Sequence, residues 1–228
     1  ALDGVERMAG DATEADSARE ACAGAVVVYH CVNVPYADWP ETLPAVMDAL
    51  IAGAGAAGAT LVYCDNLYMY GAVDAPMRED TPRAATGRKG RLRARLEERL
   101  LEAHGRGEVR AAIGRGSDFY GPAAANTVAG MLVFPAILAG KKARWIGSLD
   151  QPHSLNFLDD FARGLITLGD DPRAAGEVWH IPAGPAPTGR EFVEMAFAAA
   201  TRPPKVGLYG RGAIPVSYTH LRAHETKA

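Results

Sequence analysis

Three short apolar runs constrain this chain most: Ala25–Tyr29, Thr60–Tyr63 and Val109–Ile113. Near-continuous apolar stretches bounded by glycine, without polar alternation, are the mark of strands buried on both faces of a parallel sheet. Between them lie helical segments. Glu41–Ile51 carries Leu43, Met47 and Leu50 on one face, and Lys89–His104 carries Leu92, Leu96 and Leu100. The chain opens with a short strand at Gly4–Gly10 and a helix N-capped by Thr13 that runs through Cys22 and closes at Gly24. Strand and helix thus alternate about every 20–30 residues, the rhythm of an α/β, doubly wound parallel sheet.

Beyond Gly140 the rhythm changes. The sequence predicts a strand at Ala143–Ile146 and a helix from about Asp159 to Gly169 with Phe161, Leu165 and Leu168 inward. A strand follows at Val178–Pro182. Thr188-Gly189-Arg190-Glu191 is a capping box opening a helix with Phe192 and Met195 inward. Asp159-Asp160 reads as a helix cap. Gly53–Gly58 spells G-x-G-x-x-G, but it follows a helix and precedes a strand, the wrong order for a phosphate cradle. It is expected to be a flexible helix end.

A hydrophobic content of 48% supports a full core, and a net charge of −3 argues against a nucleic-acid footprint. The basic run Arg88–Arg95 is answered by Glu97, Glu98 and Glu102 on the same helix, which reads as a solvated face. Three scattered cysteines, Cys22, Cys31 and Cys64, point to a reducing, cytoplasmic setting rather than a disulfide framework or a metal site. The longest apolar patch, Met131–Ala139, contains Pro135 and is too short to span a membrane.

The stretch Thr60–Lys89 carries the chemistry. A buried strand spills polar and aromatic groups from its carboxyl end, and a lysine returns at the head of the next helix, as open α/β sheets build sites. Met69-Tyr70-Gly71, Glu79 to Pro82, Lys89, and Arg115-Gly116-Ser117-Asp118-Phe119-Tyr120-Gly121-Pro122 resemble the V-Y-G, E-x-x-P, motif lysine and R-P-x-N-x-Y-G-P of one family. It is the extended short-chain dehydrogenases/reductases of the NAD-dependent epimerase/dehydratase type. The resemblance implies an NAD(P)-binding Rossmann-type enzyme, an oxidoreductase or epimerase, acting on a small molecule, with a homodimer compatible.

By that resemblance, Asp11 and Ala12 sit near the adenine, Cys31, Val32 and Asn33 form the turn along the cofactor, and Gly116 and Ser117 lie near the nicotinamide. Asp118 and His153 face the substrate. His153 stands where sugar-nucleotide enzymes place a phosphate-gripping arginine, which disfavours that substrate class. The family's serine position falls on Asn66, and Ala85 stands four residues before Lys89 where the family has tyrosine. Three alternatives stay open. Tyr68 supplies the phenol with Asn66 and Lys89; Asp65 acts as base; or the chain binds a dinucleotide without turning it over.

The resemblance also implies that the first βαβ unit, about 50 residues, is lacking. Residues 1–142 then form a partial dinucleotide-binding domain and residues 143–214 a smaller α/β substrate region. Residues 215–228 are a tail whose Val216–Thr226 reads like a translated sequencing adapter. His220 and His224 are discounted as a metal pair on that ground. Residues 1–228 alone are expected to be unstable or inactive.

Overall fold

The computed structural model describes residues 4–209. In chain order these form α1 (Ala15–Cys22), β1 (Val27–His30), α2 (Trp39–Ala57), β2 (Thr60–Asp65), α3 (Arg88–Gly105) and β3 (Arg110–Arg115). Next come β4 (Asp118–Tyr120), a π-helical turn at Ala129–Val133 leading into α4 (Phe134–Leu138), β5 (Ala143–Trp145) and β6 (Leu155–Phe157). Then follow α5 (Leu158–Asp170), β7 (Val178–His180), α6 (Gly189–Ala199) and β8 (Val206–Leu208). The adapter-like stretch and its two histidines lie outside the described residues.

One four-stranded sheet runs β1-β2-β3-β7, parallel throughout. Alternation along β2 and β3 fixes what covers it. Leu61, Tyr63, Ala111 and Ile113 pack under α2 and α3, with Leu43, Met47, Leu92, Leu96 and Leu100. Val62 and Ala112 point the other way, onto Phe161, Leu165 and Leu168 of α5. Both faces are therefore covered by helices, the doubly wound arrangement the sequence implied. A further apolar cluster joins Val133, Ile137, Trp145, Phe192, Val193 and Phe197. It holds the parallel pairs β4–β6 and β5–β8 beside the sheet. Among the described residues no helix is long and apolar enough to cross a membrane.

Several local expectations need correction. Gly4–Gly10 forms no strand; Val5 and Met8 are 56% and 55% exposed, so its imperfect alternation gives it no face to bury. Thr13 does not cap α1, because its N–H and hydroxyl both donate to the Asp11 carboxylate two residues back. Nor do Asp159 and Asp160 cap α5: they sit in its first turn, where Asp160 pairs with Arg163. In α6 the inward residues are Phe192, Val193 and Phe197, while Met195 is exposed. The capping box of Thr188 and Glu191 is present as expected. Finally, α5 and β7, expected in the second region, belong to the main sheet and its cover.

The glycines of α2 do not loosen it. The helix continues through Gly53 and Gly55 and closes at Gly58, which adopts φ 67°, a left-handed cap. A Cβ on Gly53 would meet the Ala18 carbonyl oxygen at 2.7 Å, and one on Gly55 would run into the Glu108 carbonyl oxygen. These glycines let α1 and the entry to β3 approach the helix. Gly55→Ala gains helix propensity yet is expected to cost roughly 1–2 kcal/mol net, because the methyl meets backbone rather than a side chain. A urea midpoint at or above the parent's would show that α2 and residue 108 separate freely.

Candidate functional site

The carboxyl ends of β1, β2 and β3 open toward the loops after them, where this sheet type gathers functional groups. From the segment after β2, the Asn66 Oδ1 accepts from the Tyr68 N–H at 2.9 Å, closing a tight turn. That turn sends Tyr68 toward the loop after β1, where its hydroxyl lies 3.1 Å from the hydroxyl of Tyr36. Trp39 holds this pair. Its ring is 4.7 Å from Tyr36 and 6.2 Å from Tyr68, and its indole N–H donates to the Asn33 side chain and the Val34 carbonyl.

Lys89 reaches the same place from the first turn of α3, its ammonium 3.3 Å from the centre of the Tyr36 ring. Partial burial pulls the Lys89 pKa down to about 8. Burial pushes both phenols up, Tyr68 further than Tyr36, since the hydrogen bond between them favours charge on Tyr36 and opposes it on Tyr68. The Asp118 carboxylate raises both as well. Tyr36 thus stands between two of the expected working groups, its ring under Lys89 and its hydroxyl at Tyr68, and Asn66 shapes the turn that brings Tyr68 there. Tyr36 was not legible: it lies in a proline-bounded loop with no motif around it.

Directly beneath is a buried ionic network. Asp65, still on the β2 ladder opposite Arg115, accepts from Arg93 at 3.4 Å and Arg115 at 3.3 Å. Arg115 also bonds Glu97 and, at 2.5 Å, the Tyr70 hydroxyl, which in turn meets His180 Nε2 at 2.7 Å. Arg93 donates to Tyr63 at 2.6 Å and lies 4.2 Å from the centre of the Trp39 ring. Burial pushes the Asp65 carboxyl up, and the two guanidiniums pull against it. This overturns two expectations. Asp65 is a fully enclosed counter-ion rather than an accessible base, and Arg93 and Glu97 are buried members of a helix expected to present its charges to water. The Glu79 carboxylate, from the E-x-x-P run, accepts from the His180 N–H at 2.8 Å and ties its loop to β7.

The residues assigned to a dinucleotide are spread along the same edge. Asp11 is exposed, its carboxyl lowered by the Thr13 hydroxyl and N–H, and Ala12 packs on the core. Cys31 and Val32 are exposed where β1 ends, and Asn33 accepts from Trp39. Gly116 packs closely on Phe161 and Phe119. The Ser117 N–H and hydroxyl both donate to Asn156 Oδ1, and Asn156 itself donates to the Ile181 carbonyl, locking the bend into β4. The two residues expected on the substrate side meet each other: His153 Nε2 lies 2.8 Å from Asp118 Oδ2, with the Trp145 ring edge-on to the imidazole at 5.4 Å.

His30, the last residue of β1, is 2% exposed, stacks on Tyr63 at 4.9 Å, and leaves Nε2 without a partner. Burial, helped by the Arg93 charge, lowers its pKa from 6.5 to about 4. The folded state therefore favours the neutral ring. This contribution to stability is complete above pH 6.5 and lost as the pH falls toward 4. The expected loss is roughly 3 kcal/mol across that window. His30→Phe should flatten the acid side of the stability profile in urea melts; an acid sensitivity equal to the parent's would exclude His30 as its source.

The fold has close counterparts among solved structures. The DesIV dTDP-glucose 4,6-dehydratase double mutant from Streptomyces venezuelae, with NAD and DAU bound, superposes with a TM-score of 0.78 at 20% identity, covering 94% of this chain and 70% of that one. The UDP-glucose 4-epimerase of Thermus thermophilus, in complex with NAD, gives 0.75 at 17% identity, over 98% and 80%. RMD from Pseudomonas aeruginosa complexed with NADPH gives 0.71 at 17%, over 91% and 78%. No curated protein sequence matches the chain. The sequence itself matches the NAD dependent epimerase/dehydratase family over residues 1–182. With that match covering most of its length, and with the doubly wound sheet to go with it, this chain belongs to the NAD dependent epimerase/dehydratase family.

Proposed function

We propose that the complete protein is a cytoplasmic, NAD- or NADP-dependent oxidoreductase acting on a small carbonyl or hydroxyl compound, working as a homodimer. The observation that carries this reading is the Lys89 ammonium held at the Tyr36–Tyr68 pair. Family membership and the NAD- and NADPH-bound relatives support the cofactor.

The donor set fits a dinucleotide at two places. The exposed turn at Cys31, Val32 and Asn33 with Lys89 suits the nicotinamide ribose, and Asp11 suits an adenine amine. Among the described residues there is no strand–glycine–helix turn to cradle the phosphates; Gly53–Gly58 is packed helix. When bound, a nicotinamide supplies or accepts the hydride. Lys89 would bind a ribose hydroxyl of the cofactor, and it holds positive charge at the Tyr36 ring. Tyr68, with Tyr36 hydrogen-bonded to it, passes the proton to or from the substrate oxygen. The Asn66 amide donates to that oxygen. Asp118 and His153 orient the substrate, and Gly116 and Ser117 would border a bound nicotinamide.

The alternative is a sugar-nucleotide epimerase or dehydratase, favoured by the dTDP-glucose dehydratase and UDP-glucose epimerase among the structural relatives. The imidazole of His153, paired with Asp118 in place of a fork-shaped cation, weighs against it. The two are separated by following NAD(P)H absorbance in the complete protein with a panel of aldehydes and ketones beside nucleotide-diphosphate sugars. Turnover of the small carbonyls is expected. Turnover restricted to the sugars would establish the alternative, and dinucleotide binding without turnover of either class would make this a sensor.

A further inference from the structure

β1 and β2 run parallel with His30 opposite Tyr63, so the next residue on each, Cys31 and Cys64, stand side by side at the carboxyl edge of the sheet. Tyr63 and His30 stack on each other, and Cys64 follows Val62 onto the α5 side of β2. Cys31 is the first residue past β1, where its N–H donates to the Tyr29 carbonyl and turns the chain. The spacing of adjacent strands, about 4.8 Å, falls within the Cα separation of roughly 4.4–6.8 Å that a disulfide bridges.

The two thiols differ in ways that assign them roles. Cys31 is exposed and Cys64 half-buried. The neighbouring Cys64 thiol brings the Cys31 thiol down to about 7, and the interaction with Cys31 pushes Cys64 up. The third cysteine, Cys22, is buried under α2, and burial raises its thiol. A thiolate that is accessible and partly formed at neutral pH, next to a second thiol, is the arrangement that reacts with disulfides.

We propose that Cys31 and Cys64 form a reversible thiol–disulfide pair, with Cys31 the attacking thiolate, Cys64 the resolving thiol, and a low-molecular-weight disulfide such as oxidised glutathione the oxidant. Cys31 attacks one glutathione sulfur, the S–S bond breaks, and the first glutathione thiolate leaves and takes the proton that Cys31 lost. Cys64 then attacks the Cys31 sulfur of the mixed disulfide, and the second glutathione leaves with the Cys64 proton. The pair is oxidised by two electrons and the glutathione disulfide is reduced to two thiols. The bridge pins the exit of β1, and with it the turn leading to Asn33 and Tyr36, to β2.

The test is incubation of the reduced chain with oxidised glutathione at neutral pH, followed by intact mass and a peptide map. The expected product has lost two hydrogens, carries one cross-link between the Cys31 and Cys64 peptides, leaves Cys22 free, and returns to the starting mass with dithiothreitol. Cys64→Ser should stop at a single glutathione adduct on Cys31, and Cys31→Ser should leave Cys64 unmodified. With iodoacetamide, Cys31 should react at least about tenfold faster than Cys22. Separate glutathione adducts on Cys31 and Cys64 in the parent, a cross-link through Cys22, or two unreacted thiols would each overturn the proposal. The parent's peptide map decides this even where a variant does not fold.

Discussion

Arg115→Met is expected to destabilise the protein by about 3–5 kcal/mol, because it leaves two buried carboxylates facing each other without their shared cation. Asp65 is 2% exposed and Glu97 6%, and Arg115 bonds both. Methionine fills much of the same volume, so the loss reports charge rather than a cavity. For a chain of this size the melting temperature should fall by on the order of 10 °C. Glu97→Gln, which keeps a hydrogen-bond partner and removes one charge, should cost distinctly less. Equal losses from the two changes, or a stable Arg115→Met variant, would mean that the network is hydrated and that its burial contributes little. Because Arg115 also holds the Tyr70 hydroxyl and Asp65 ends the strand that leads to Asn66, the network sets the floor on which the site stands.

Lys89→Met in the complete protein is expected to lower kcat by roughly 10²–10⁴-fold, the usual contribution of a positioned proton-transfer group. The stability change should be small, since Lys89 is half-exposed and outside the Arg115 network. Tyr68→Phe should lower kcat by a similar order while leaving dinucleotide affinity close to the parent's. Tyr36→Phe removes the hydroxyl that Tyr68 meets and should also slow turnover. Full activity in both phenylalanine variants would remove the phenols from the chemistry and leave Lys89 a binding group.

What the sequence disclosed follows from how local each signal was. Leu92, Leu96 and Leu100 repeat at the helix period and proved to be the buried stripe of α3. Arg93 and Glu97 sit beside that stripe, and nothing local marks them as buried. Their partners, Asp65 and Arg115, come from neighbouring strands of the parallel sheet, so the network exists only once β2 and β3 are paired. The α2 glycines misled for the same reason: their neighbours are the Ala18 and Glu108 backbones. The alternation of β and α elements was legible, as was the return of Lys89 at the head of α3. Asp118 and His153 were each expected on the substrate side from separate motifs, and that they touch follows only from the fold. Tyr36 and the Cys31–Cys64 juxtaposition emerge only when β1 lies against β2 and its following loop folds over α3.

The most direct test of the central claim is the pH dependence of kcat for the complete protein and its Lys89→Arg variant. Burial holds the Lys89 ammonium near a pKa of about 8, so its charge is present below that value and lost above it. Turnover that depends on this charge should decline on an alkaline limb near pH 8 in the parent, and Lys89→Arg, which stays protonated, should displace that limb upward by at least about one pH unit. An alkaline limb at the same pH in both proteins would contradict the assignment of Lys89 as the charged partner of the phenols.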